Sequence, residues 1–135
     1  PVYIGSHDGF DALSLRFEGS DALHLWINDD DAGGWEFNLS TRTVTHVVID
    51  TSSAEETRTR LFTDGILQAK NHPITIAPTT AINTSTSMYL SLGSRPVEPN
   101  SPRGIIHYVA IYHDALSDAA IESNAALLLL DDDHP

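Results

Sequence analysis

The residues with the most chemistry to offer cluster in "WINDDDAGGW", from Trp26 to Trp35. Asp29, Asp30 and Asp31 are consecutive carboxylates, and "HDGFD" adds Asp8 and Asp11. Calcium takes clustered carboxylate and carbonyl oxygens from loops, so Asp29 and Asp31 are candidate ligands for it. The spacing Asp29-x-Asp31-x-Gly33 half matches a calcium loop, and no bidentate Glu follows at the required distance. Asp is equally a common turn residue, so plain turn chemistry stays open beside the metal. Trp26 and Trp35 flank the run, with Asn28 and Asp29 nearby. Together they offer ring faces and hydrogen-bonding groups suited to a carbohydrate; the competing role for both indoles is core packing.

Other chemistries find less support. Glu55 and Glu56 are adjacent, so in a strand they would point to opposite faces. Glu18 and Asp21 straddle a turn and read as surface carboxylates. There is no nucleophile elbow and no Gly-rich phosphate loop before a helix. The seven His show no H-x-H or H-E-x-x-H spacing for zinc. Catalysis is therefore not expected. Asn38 in "NLS" and Asn83 in "NTS" match the N-glycan acceptor pattern, which also arises by chance.

Charge narrows the partners. Nineteen acids face seven bases, six of them Arg, for a net charge of −12. Nucleic acid and anionic membrane surfaces both require a positive patch, so neither is an expected partner. No apolar run approaches the roughly 20 residues that cross a bilayer, so membrane insertion is not expected. Cysteine is absent, which removes disulfide and thiol chemistry.

The elements that must position these residues are short strands. Val2–Ile4 is the first. Ala12–Glu18 and Ala22–Asn28 flank a "GSD" turn, and Trp35–Leu39 follows the loop "DDDAGG". Thr45, Val47 and Ile49 alternate with His46, Val48 and Asp50, and both sets are rich in β-branched residues. Period two resumes in Thr57–Thr63 and continues in Ile66–Ala69 after Asp64-Gly65, a strong hairpin signal because both turn positions need φ > 0. Ile74–Ala77, Met88–Gly93 and Ile105–Tyr112 complete the strands. One helix follows from Ser117, a good N-cap, to Leu130, with Leu116, Ile121, Ala125 and Leu128 near one stripe. The acidic tail 131–135 closes a single domain of 135 residues.

Four of these pieces carry a family likeness. "THVVID", "RTRLFTDGIL", "MYLSLGS" and "RGIIHYVAIYHDALSDAAI" come in the order found in laminin G-like domains. The matching residues are His46-Val47-Val48, Leu61 to Leu67, Tyr89 to Ser94 and Ile111 to Ile121, and coverage runs from about Leu13 to Leu128. The chain thus resembles the laminin G-like members of the concanavalin A-like group. The resemblance implies an all-β, antiparallel jelly-roll sandwich with one short C-terminal helix. There are departures. His107-Tyr108 stands where the family's last strand usually carries an acidic pair, and Val44 or Thr45 where a Trp is usual. Related glucanases use a Glu-x-Asp-x-x-Glu strand, which this sequence lacks.

What the resemblance implies for function is a non-catalytic extracellular module for carbohydrate, surface-ligand binding or adhesion, with calcium the cofactor to consider. Its partners would be glycans or surface proteins. The alternative is a structural subunit of an extracellular homomeric assembly or filament. The pattern begins at about the family's fourth strand, so Ile105–Tyr112 is expected to lack its usual neighbours. A second chain, another copy, is the favoured occupant of that edge by β-augmentation. Fold-back of segment 1–11 is the other.

Overall fold

The computed structural model describes residues 3–7, 11–18, 22–27, 30–36, 42–50, 52–54, 57–70, 89–93 and 107–130. The strands in chain order are β1 (Tyr3–His7), β2 (Asp11–Glu18), β3 (Ala22–Ile27), β4 (Asp30–Glu36), β5 (Thr45–Ile49), β6 (Thr59–Thr63), β7 (Ile66–Gln68) and β8 (Tyr89–Gly93). Helix α1 (Asp118–Leu130) follows them. Two antiparallel sheets result. One has the order β4-β3-β2-β1-β8, the other β5-β6-β7.

Period two explains how the sheets meet. In the larger sheet Leu15 lies opposite Leu25, and Leu23 opposite Trp35. In the smaller one Val47 lies opposite Leu61. Leu23, Leu25, Trp35 and Leu61 form one buried cluster, with Leu15, Val47 and Ile49 packed against it. Val48 and Phe62 point the other way and are buried with Ile121 of α1, beside Leu116. Strands β5 and β6 are therefore covered on both faces, while Ile66 and Leu67 of β7 are exposed. That is why β5 is apolar in both registers. Each side chain of this size removed from water contributes roughly 1.5–3 kcal/mol.

The hairpin turn forms as its residues require. Asp64 has φ 51 and Gly65 φ 83. The Asp64 N–H donates to the Val44 carbonyl at 2.8 Å, and the Asp64 carboxylate accepts from the Val44 N–H at 2.8 Å. The turn is thus tied to the entry of β5.

Helix α1 is anchored at both ends. The Ser117 hydroxyl accepts the Ala120 N–H at 3.3 Å, and the Ser117 carbonyl accepts the Ile121 N–H at 3.0 Å. Asp118, in the first turn, pairs with Arg60 of β6. At the far end α1 has no basic residue of its own. Arg42 supplies the cation and donates to the Leu128 carbonyl at 2.7 Å. A cation there suits both the unpaired last-turn carbonyls and the helix dipole. Ile121 and Ala125 are buried, and Leu116 and Leu128 half-buried, as the stripe predicts. Replacing Ser117 with alanine should cost about 1 kcal/mol, the usual worth of an N-cap hydroxyl. A Tm drop of a few degrees in a thermal melt checks this, and Ser117→Asp should restore it.

Four sequence expectations need correction or fall elsewhere. "DDDAGG" is not a loop: Asp30 to Gly34 belong to β4, which β3 holds in its ladder. Asp and Gly have poor strand propensity, but pairing with an already apolar neighbour overrides it. Ile105–Tyr112 is not a strand over its described part. Residues 107–112 have no ladder partner among the described residues, and Tyr108, Ile111 and Tyr112 are exposed. A β-rich sequence states what a strand would favour; only a neighbouring edge makes one. The N-terminal segment does enter a sheet, as β1, but between β2 and β8 rather than beside 107–112. The expected strand Ile74–Ala77 lies outside the described residues.

Candidate functional site

The β3–β4 ladder pairs Ile27 with Asp30 and Trp26 with Asp31, with an irregularity between Leu25 and Trp26. Trp26 and Asp31 are therefore direct neighbours across the ladder. Asn28 and Asp29, which complete the proposed carbohydrate and calcium groups, lie outside the described residues. So do the glycan acceptors Asn38 and Asn83. Among the described residues no three His, Cys, Asp or Glu converge as metal ligands.

Trp35 requires correction. It is 0% exposed and packs with Leu23, Leu25 and Leu61. Its indole N–H is buried without a hydrogen-bond partner. A sugar cannot stack on a ring closed off by the opposing sheet. Trp35 therefore does not belong to the expected Trp26–Trp35 platform.

A second site forms where the β5-β6-β7 ribbon opens. β5 pairs with β6 from Thr59 to Thr63, but β7 pairs with β6 only from Leu61 to Thr63. Beyond the end of that shorter ladder lies a cavity of about 220 Å³, lined by Thr57, Thr59, Arg60, Leu67, Gln68 and Lys70. Thr59 is buried at 1% exposure. The Arg60 guanidinium lies 5.6 Å from the Phe62 ring centroid and pairs with Asp118. Sequence reasoning missed this notch. The available signal was charge: Arg58, Arg60 and Lys70 fall within 13 residues of a chain with seven bases and 19 acids.

The neighbouring loop is organised by Asp50. Its carboxylate accepts from the Ser52 hydroxyl at 2.6 Å, the Ser53 hydroxyl at 2.7 Å and the Ser52 N–H at 3.0 Å. These bonds, the Ser52 hydroxyl first, hold its pKa down to about 2 from an ordinary 3.8. Two positions before Val48 on β5, His46 stacks on Tyr112, centroids 5.7 Å apart and rings inclined by 25°. Burial lowers the His46 pKa below 6.5.

Both shifts have the same sign for stability. The unfolded chain takes up protons at His46 near pH 6.5 and at Asp50 near pH 3.8, in each case before the folded chain does. Stability should therefore fall as pH drops below about 6.5 through His46. It should fall again from about 3.8 toward 2 through Asp50. Thermal melts across pH check this. His46→Gln should flatten the upper part of the slope and Asp50→Asn the lower part, whatever each does to the absolute Tm.

A family model described as the concanavalin A-like lectin/glucanases superfamily, of the laminin G type, matches residues 1–122. The match covers most of the chain, and the chain belongs to this family. Its strand-rich build, with two antiparallel sheets and one C-terminal helix among the described residues, agrees with that class. No curated protein and no solved structure matches it.

Proposed function

We propose that this chain is a non-catalytic, extracellular jelly-roll module that binds glycans or surface protein ligands. The family match over residues 1–122 carries the reading, because the superfamily's description names lectins beside glucanases. The sequence favours the lectin side, since it has no Glu-x-Asp-x-x-Glu strand to place an acid and a nucleophile on one face. Trp26, Asn28 and Asp29 are the proposed contacts at the β3–β4 connection, with calcium at Asp29 and Asp31 as a proposed aid. A glycan array probed with and without EDTA tests this. Selective, saturable binding supports the module, and loss with EDTA supports the metal. A blank array counts against the carbohydrate reading, and sugar release from glucans would overturn the non-catalytic part.

A structural role is the second reading. It is favoured by residues 107–112, whose Tyr108, Ile111 and Tyr112 are exposed without a ladder partner among the described residues. A second copy would pair along this segment. Light scattering over a range of concentrations tests it: a monomer throughout sinks this reading, and an oligomer abolished by Ile111→Lys supports it.

A further inference from the structure

We propose that two copies of this chain exchange helix α1: residues 107–112 of each copy run antiparallel as a two-stranded ribbon, and each helix docks on the β5–β6 face of the other. This rests on the structural reading above and names the element that is traded. The described partners of α1 lie within residues 42–65. Ile121 is buried with Val48 and Phe62, beside Leu116. Arg60 pairs with Asp118 in the first turn, and Arg42 donates to the Leu128 carbonyl in the last. The two halves of this contact match in shape and in charge, and every copy carries both. A helix arriving from a second copy therefore meets the same apolar cluster and the same two cations, so exchange loses no contact at this face.

The connector supplies the driving force. Residues 107–112 are rich in β-branched and aromatic residues, yet they have no ladder partner among the described residues. Tyr108, Val109, Ile111 and Tyr112 are all exposed. Straightened, six residues span about 20 Å. That carries α1 away from its own sheet, and an antiparallel neighbour directs it toward the sheet of the other copy. A two-fold axis at Ala110 sets Tyr108 opposite Tyr112 and Val109 opposite Ile111, both favourable cross-strand pairs. The ribbon pairs the backbone groups and shields apolar side chains that the single chain leaves in water. The exchange gives up the stack of Tyr112 on His46. A net charge of −12 on each copy opposes association, so added salt should strengthen the dimer.

The chain has no cysteine, so an introduced pair reports the exchange directly. In the full chain carrying Arg60→Cys and Asp118→Cys, a short bis-maleimide should link chain to chain and give a covalent dimer on a denaturing gel. A helix kept at home gives links within one chain. Adding Ile111→Lys should remove the dimer band and restore the intrachain link, because it disrupts the ribbon and leaves the docking face of α1 intact. The two single variants give an independent readout. Prepared separately, one of them isotope-labelled, then refolded together and cross-linked, they should yield a dimer of mixed mass, and neither alone should yield one. Intrachain links alone, in a protein that light scattering shows to be dimeric, overturn the exchange and leave the second-copy reading standing. A monomer at every concentration overturns both.

Discussion

Trp35→Ala should destabilise the fold by about 3–5 kcal/mol, the usual cost of deleting a large buried aromatic. Trp35 is 0% exposed and lies where the two sheets share a core, with Leu23 and Leu25 from its own sheet and Leu61 from the other. Removing the indole leaves a cavity lined by these leucines, and a small domain has only about 5–15 kcal/mol in total. Chemical denaturation measures the loss. The result also decides what this tryptophan is for. A ring that served a ligand from the surface would be replaced at little cost to stability, with binding lost alone. Trp35→Phe should be much milder, because it keeps most of the apolar volume and removes an indole N–H that is buried without a partner. A Trp35→Ala protein as stable as the parent would mean that the sheets do not pack as described.

Gly65→Val should cost about 2–4 kcal/mol, for two separate reasons. The first is local: φ at Gly65 is 83, where a β-branched residue is strained by about 1–3 kcal/mol. The second is tertiary. A Cβ at this position would lie 3.1 Å from the Glu122 Cα and 3.4 Å from the Ala125 Cβ of α1. Backbone atoms of a packed helix do not yield cheaply, and overpacking adds about 1–3 kcal/mol. Gly65→Ala keeps the Cβ contact and the positive-φ strain and removes only the cost of branching, so it should be milder than Gly65→Val. Truncating Ala125 to glycine in the Gly65→Ala background should recover little, because the closest atom is helix backbone. At this chain length the Gly65→Val melt should drop by very roughly 10 °C. An unchanged midpoint would mean that the turn is not left-handed and that α1 does not rest on it.

Local patterns carried much of this fold. Asp64-Gly65 between two alternating runs specified a turn with both residues at positive φ, because few other residue pairs tolerate it. Ser117 and the stripe through Ile121 and Ala125 specified the helix and the face it buries. Those signals lie within a few residues of the structure they cause. The order of four motifs was enough to recognise the superfamily that residues 1–122 match.

Other features depended on which segments meet, and no local pattern holds that information. The apolar character of both faces of β5 was visible, but its cause was not until α1 closed one face and the larger sheet the other. Asp30 to Gly34 read as a loop by composition and become strand because β3 supplies a ladder. His107–Tyr112 reads as strand by composition and stays irregular because no described strand supplies one. Trp35 reads equally as platform or core, and Leu61 from the opposing sheet decides for core. The notch between Arg60 and Lys70 exists because one ladder ends two residues before the other, a fact of pairing that neither strand states alone. Propensity and periodicity act over a few residues, whereas burial and pairing are set by partners distant in the chain. Sequence alone therefore determined the Asp64-Gly65 turn, the helix and the family, and the tertiary structure decided which residues are hidden.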